Sequence, residues 1–222
     1  MGFSVNRRSL GMLTGALIAF ALPSQSVWAQ TAAPSLVDQL MGSETSADID
    51  VAALRQQVTD RVKSKADATA LKRPPIAPQL LKLPRFNFEV AFDPDSALIR
   101  PRSYQTIGRI ADALADPRLL RYTFLVVDHT ESSGRRDANL TLSQRRADSI
   151  REVLAGAFKI SPKRLQTLGL GEEQLQDSSR PASPANLRAQ IMTVGEVVVA
   201  AQTPPPASAA PAKKGPAAKK RK

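Results

Sequence analysis

The chain of 222 residues contains no cysteine. That absence excludes a disulfide framework, a thiolate-ligated metal centre, a cysteine nucleophile and a lipid-bearing N-terminal cysteine. Histidine is nearly absent too: His129 stands alone. One imidazole without cysteine builds neither a metal site nor a nucleophile–base pair, so no catalysis, metal or cofactor is expected. No Gly-x-Ser-x-Gly elbow, P-loop or dinucleotide fingerprint occurs. Aromatic residues make up only 5% against 42% hydrophobic residues, which predicts an aliphatic core. Long hydrophobic runs are missing as well. The apolar run Leu10–Leu22 is 13 residues, short of the roughly 20 that span a bilayer.

What is present is an excess of positive charge, +11, placed unevenly. Lys213, Lys214, Lys219, Lys220, Arg221 and Lys222 crowd the last twenty residues without an acid. Arg7 and Arg8 precede the Leu10–Leu22 run, and Val27-Trp28-Ala29 follows its polar flank. Residues 1–29 therefore read as an export signal cleaved after Ala29. Asn6-Arg7-Arg8-Ser9-Leu10 fits a twin-arginine signal and an ordinary one equally, so the export route stays open. The Pro/Ala/Lys-rich stretch 200–222 reads as a disordered basic tail. Such a tail is either merely solvated or drawn to anionic surfaces. An export signal and the lack of interleaved aromatics argue against nucleic acid as a partner.

Between these ends the chain alternates. Residues 30–85 read as a linker with one amphipathic helix over 49–71, where Val51, Leu54, Val58 and Val62 share a face. That face packs either on the domain or on a partner, or belongs to a marginal linker helix. Pro74-Pro75 ends it. Residues 86–199 form the domain. Phe86, Phe88, Val90 and Phe92 alternate as in a strand. Tyr104, Ile107, Ile110, Ala111 and Leu114 lie on one helical face that Asp116-Pro117 stops. Tyr122–Val127 reads as a central strand, Asp128–Asp137 as a polar loop, and 142–158 as the strongest helix. Ser161-Pro162 reads as a capped turn. Strands follow at 165–170 and from 188 to about 194 or 199, with Gly169 and Gly171 as strand-end turn chemistry. The order β-α-β-α-β-β predicts an α/β (α+β) two-layer sandwich, with helices on a mixed four-stranded sheet.

One residue of the long helix is out of place. With Ile150 at the centre of the apolar face, Arg146 falls about 40° away, inside the stripe. Arg145 falls on the opposite side with Asp148 and Glu152. Arg145 is thus a surface charge, while Arg146 is aimed at the sheet and needs an anion. Glu131, just past the strand at Tyr122–Val127, is the acid on offer, with Thr130 and Asn139 in the same loop. Two readings stand. Either Arg146 and Glu131 form a plain ion pair, or they face a small zwitterion whose carboxylate meets Arg146 and whose ammonium meets Glu131.

Asp128-His129-Thr130-Glu131-Ser132-Ser133-Gly134, then Asn139, then Leu142-Ser143-Gln144-Arg145-Arg146-Ala147 resembles the signature of the OmpA-like C-terminal domain family. That signature reads Gly-His-Thr-Asp-x-x-Gly, four residues, Asn, two residues, Leu-Ser-x-x-Arg-Ala. The Phe86–Phe92 strand, Leu168-Gly169-Leu170-Gly171-Glu172 and Asn186-Leu187-Arg188 follow the family's order. The resemblance implies non-covalent binding of peptidoglycan through diaminopimelate. It carries the family's ligand residues onto Glu131, Asn139 and Arg146, with Thr130 and Leu142 at further pocket positions, and makes His129 a supporting loop residue. Three positions depart from the pattern: Asp128 replaces Gly, Glu131 replaces Asp, and Leu187 replaces Arg.

The expectation is a non-enzymatic, cell-wall binding module in the periplasm, associated with wall or outer membrane. Its partners would be peptidoglycan and other envelope proteins. The competing reading is the same fold without ligand, serving as a protein-interaction scaffold through the 51–62 helix. The roughly 55 residues before Phe86 are too few for an eight-stranded barrel, so no integral span of the mature chain is expected.

Overall fold

Phe86 and Phe88 alternate on a short strand, β1 (Arg85–Phe88), and their rings lie parallel with centroids 6.4 Å apart. The computed structural model describes residues 35–41, 49–64, 69 and 73–196. The expected signal at 1–29 and tail at 200–222 lie outside them. After β1 come α3 (Tyr104–Leu114), β2 (Tyr122–His129), α4 (Arg136–Gly156), β3 (Leu165–Gly171) and β4 (Arg188–Glu196). Before it come α1 (Leu36–Met41) and α2 (Val51–Lys63). The four strands form one mixed sheet in the order β1-β4-β2-β3. β4 is antiparallel to both β1 and β2, and β2 is parallel to β3. The domain is thus β-α-β-α-β-β on a mixed sheet, as expected.

Strand alternation sends side chains to opposite faces. Phe88, Phe124, Val126, Ala189 and Ile191 meet Ile107, Ile110 and Leu114 of α3 and Ala147, Ile150 and Leu154 of α4. The opposite face is covered as well. Leu125, Val127, Leu168, Leu170 and Met192 pack against Val51, Leu54 and Val58 of α2 and against Ile76, Leu80 and Leu83. A 13-residue helix is marginal alone. Four buried aliphatics, at roughly 1.5–3 kcal/mol each, are enough to hold it on the sheet. Asp50 caps it, accepting from Ala53 N–H at 2.9 Å. The helix runs to Lys63 rather than 71.

Two further boundaries differ from expectation. α1 lies inside the expected linker. Its start is a capping box, Asp38 N–H donating to Ser35 Oγ at 3.2 Å and Ser35 N–H to the Asp38 carboxylate at 3.3 Å, and Val37 and Leu40 reach the core. α4 begins at Arg136 rather than near Leu142, so Asn139 sits in its first turn and not in the loop. Arg135 offers no side-chain cap. The turn is held from outside instead: Arg136 donates from Nε and Nη2 to the two oxygens of Glu173, each at 2.6 Å. Ser161 makes no side-chain cap bond either. Its turn is closed by the backbone and by the buried Arg164, which donates to the carbonyls of Leu114, Leu119 and Tyr122.

Gly169 lies within β3, not at a strand-end turn. A Cβ there would stand 2.3 Å from the Gln144 nitrogen and 2.6 Å from its Cα. Only glycine lets α4 lie this close to the strand. Gln144 Oε1 and Ser143 Oγ accept from Gly169 and Gly171 N–H at 2.8 Å each, locking the helix in place. Gly171 has φ +49°, a conformation suited to glycine.

Past β3, Glu172 and Glu173 are both buried. Arg73 Nη2 donates to Glu172 at 2.6 Å and Nη1 to Glu173 at 3.0 Å, and Arg61 of α2 approaches Glu173 at 3.9 Å. These pairs pin the segment after α2 to the start of α4. Among the described residues no helix is long and apolar enough to cross a membrane.

Two outcomes follow. Gly169→Ala should lower stability by about 3 kcal/mol, read by urea denaturation, because backbone rather than a flexible side chain must move. Glu173→Gln should cost a similar amount, about 3 kcal/mol, because it removes the anion from buried guanidinium groups. A loss under about 1 kcal/mol in either case would contradict the packing described.

Candidate functional site

A cavity of about 570 Å³ opens at the carboxyl end of β2, on the helix side of the sheet. Its walls include Phe92 after β1, Arg102 before α3, Asp128 at the end of β2, Arg146 on α4, and Leu187 and Arg188 at the start of β4. Strand alternation explains the acid. Phe124 and Val126 face the helices, and Asp128 is the next residue on that side. Helix phase explains the cation. Arg146 turns toward the sheet, while Arg145 is exposed.

Arg146 is held from two directions. Its guanidinium carbon stands 4.8 Å above the Phe92 ring, and its Nε donates to the Ser96 carbonyl at 3.0 Å. Its terminal nitrogens make no hydrogen bond among the described residues. Arg188 donates to the carbonyls of Gln174 at 3.0 Å and Asn186 at 3.3 Å. Burial pushes the Arg188 guanidinium down to about 10, Asp128 opposes that, and Arg85 adds to it. Asp128 is 3% exposed, and its Oδ2 has no hydrogen-bond partner. Burial raises its carboxyl well above the ordinary range, while Arg146 and Arg188 pull it back in part. His129 faces the other side of the sheet, with Nε2 2.9 Å from Gln190 Oε1. Burial, with Arg188 beside it, lowers its imidazole to about 3, so it is neutral at ordinary pH.

The five expected ligand residues separate. Arg146 lines the cavity; Glu131, Thr130, Asn139 and Leu142 do not. Glu131 is half-buried and accepts from Ser133 Oγ at 3.2 Å. No ion pair joins it to Arg146 among the described residues. Asn139 is buried and donates to Glu172 and to the Ser133 carbonyl at 2.8 Å each, and to the Glu131 carbonyl at 3.3 Å. Thr130 is buried, its N–H donates to the Gly171 carbonyl at 2.9 Å, and its hydroxyl has no partner. Leu142 is half-buried. The acids that share the cavity with Arg146 are Glu89 and Asp128; at Asp128, where the family pattern has glycine, the expectation was a second negative charge beside the site. The position of Asp128 two residues after Val126 was the available signal. Asn186, expected only as part of the family's order, has a structural role. It is fully buried, and its side chain ties Gln176, Asp177, Arg180 and Pro181, organising the loop that carries Leu187.

The chemistry on offer is recognition. Fixed guanidinium groups attract a carboxylate, and an unpartnered buried carboxyl awaits a donor. No group of three or more metal-ligating side chains occurs among the described residues.

Residues 91–188 match the OmpA family. Over 90 residues the chain is 34% identical to outer membrane porin F of Pseudomonas fluorescens, covering 40% of this chain and 27% of the porin. Over 85 residues it is 35% identical to the peptidoglycan-associated lipoprotein of Brucella melitensis, covering 38% of this chain and 49% of the lipoprotein. The match thus spans about a quarter of the one and about half of the other. Among solved structures, the peptidoglycan-associated lipoprotein from Burkholderia pseudomallei aligns at 25% identity and a TM-score of 0.39, over 47% of this chain and 87% of that one.

The two buried titratable groups act on stability in opposite senses. Asp128 has a raised folded-state pKa, so its contribution is full below the unfolded value and is lost as pH rises through the folded one. His129 has a depressed one, so its contribution is full above the unfolded value and is lost as pH falls. Relative to Asp128→Asn, the wild type should lose stability as pH rises above the ordinary carboxylate pKa of about 4, as followed by urea denaturation. A pH-independent difference would mean that Asp128 is not desolvated as described.

Proposed function

With residues 91–188 assigned to the OmpA family, we propose that this domain holds peptidoglycan non-covalently by the diaminopimelate group of the stem peptide. The observation that carries the reading is Arg146: a guanidinium held by Phe92 and Ser96, with unused terminal nitrogens in a walled cavity. An amino-acid end presents a carboxylate that such a fork takes bidentately. Because stacking already fixes the guanidinium, little side-chain freedom is lost on binding. The cavity's charged lining, Arg102, Arg146 and Arg188 with Glu89 and Asp128, carries both signs of charge, as a zwitterionic group requires. Asn139 and Thr130 serve indirectly, by tying the loop after β2 to Glu172 and to the Gly171 carbonyl. The relatives' own names, an outer membrane porin and a peptidoglycan-associated lipoprotein, support a place in the cell envelope, in the periplasm against wall or outer membrane.

The rival reading, a scaffold without ligand working through the 51–62 helix, loses its surface. The apolar side of α2 is spent on the chain's own sheet.

Co-sedimentation of the full-length chain with purified sacculi tests the reading, at about 0.15 M salt to screen long-range attraction of the tail. The wild type should sediment. Arg146→Ala should weaken retention about tenfold or more. Removal of residues 200–222 should leave it intact. Retention that depends on the tail and ignores Arg146 would reject the proposal.

A further inference from the structure

We propose that the end of the domain opposite the cavity is a surface for peripheral binding to an anionic phospholipid bilayer. Strand pairing defines that end. Tyr122 of β2 lies opposite Glu196 of β4, and β3 starts beside Phe124. The 8 residues of β2 set it roughly 25 Å from the cavity. Hydrogen bonds bring more of the chain there. Thr193 of β4 donates from its hydroxyl to the Leu40 carbonyl at 2.7 Å and from its N–H to the Pro84 carbonyl at 3.0 Å. Arg118 reaches Asp38 of α1 at 3.0 Å. Arg164 donates to the carbonyls of Leu119 and Tyr122, which sets Lys163 beside them.

Two features of this end point to a lipid surface. The first is exposed aliphatic area. Among the described residues, three of the six exposed large hydrophobics, Met41, Leu81 and Leu120, lie here. The second is positive charge without a partner. Lys82, Arg85, Lys159 and Lys163 are exposed and join no ion pair among the described residues. Neighbouring acids are already engaged: Asp38 and Asp116 by Arg118, and Glu196 by Arg121 at 3.6 Å. The exposed Asp112, near the end of α3, stands against the cations. β4 also delivers the chain to this end, and residues 213–222 add six cations without an acid. Aliphatic tips among cations suit a bilayer interface, where alkyl groups enter the acyl boundary and cations meet phosphate. An acidic protein would match the charge, but a protein interface needs a shaped apolar core. Single aliphatics on three separate stretches of chain do not make one. The surface stands independently of the wall reading. With the cavity turned to the wall, this end points away from it.

Vesicle co-sedimentation of the full-length chain tests this at about 0.1 M salt. The probes are phosphatidylcholine vesicles with about 30% phosphatidylglycerol and vesicles of phosphatidylcholine alone. The wild type should prefer the anionic vesicles about tenfold or more. Lys82→Glu combined with Lys163→Glu should remove most of that preference. Leu120→Asp should weaken binding to the anionic vesicles about tenfold. Both variants should keep the wild-type urea midpoint, because all three residues are exposed. Glutamine at Lys213, Lys214, Lys219, Lys220, Arg221 and Lys222 should weaken binding without abolishing it. Binding that ignores the Leu120 and lysine variants overturns the proposal. So does binding that the six glutamines abolish, because the 213–222 stretch then acts alone. Equal binding to both vesicles overturns it too, and points to the apolar run Leu10–Leu22 instead. A wild type that binds neither overturns it and leaves an acidic protein as the partner for this end.

Discussion

Helix α4 touches strand β3 through the missing side chain of Gly169, and the position of the cavity depends on that contact. Ser143 and Gln144 grip the strand's N–H groups on either side of Leu170. With residues 143 and 144 fixed, helical geometry leaves Arg146 one direction, around the helix toward the next strand. That strand is β2, and in its parallel register with β3 the partner of Gly169 is Asp128. The contact that sets the helix height therefore also sets the separation of Asp128 and Arg146. A side chain at residue 169 would disturb both, although it lies in neither wall.

Buried charge is handled in two ways in this molecule. Glu173 is enclosed by Arg73 and Arg136, with Arg61 nearby, and Glu172 by Arg73, Asn139 and Ser132. Each of these acids has directional donors, as burial demands. Their partners come from the segment around α2 and from α4, so the pairs act as fasteners between distant stretches of chain. Asp128, at the other side of β2, has arginines in its surroundings and none within bonding reach. The same fold that pairs its structural acids leaves this one open.

Much of the architecture was legible because it is periodic. Alternation at Phe86 and Phe88 and the run at Tyr122–Val127 read directly as strands. The helical phase of Ile150 separated Arg146 from Arg145, and the structure keeps that separation. What was not legible is non-local. Arg73 meets Glu172 across 99 residues and Glu173 across 100, and no local pattern announces such pairs. The early start of α4 depends on Glu173 for the same reason. The destination of α2 needed the second face of the sheet, which a single strand's alternation does not show to be uncovered. The Ser35–Asp38 capping box was readable, but it sat in a stretch whose composition resembled a linker.

Glu131, the acid the family pattern points to, and Asp128, which lines the cavity, occupy different places for a physical reason. A family pattern assigns roles by sequence position, and position 131 carried the expected charge. Physical placement assigns them by which face a residue occupies. His129 turns away from the helices, and Glu131 lies beyond the strand end, where the backbone no longer holds the alternation. Asp128 is the last residue of β2 that the pleat still aims at α4. A carboxyl there lines the cavity with Arg146, whereas Glu131 meets the Ser133 hydroxyl. The position of Asp128 is set by the pleat of the sheet, so the carboxyl stands in the cavity wall whether or not a ligand is there.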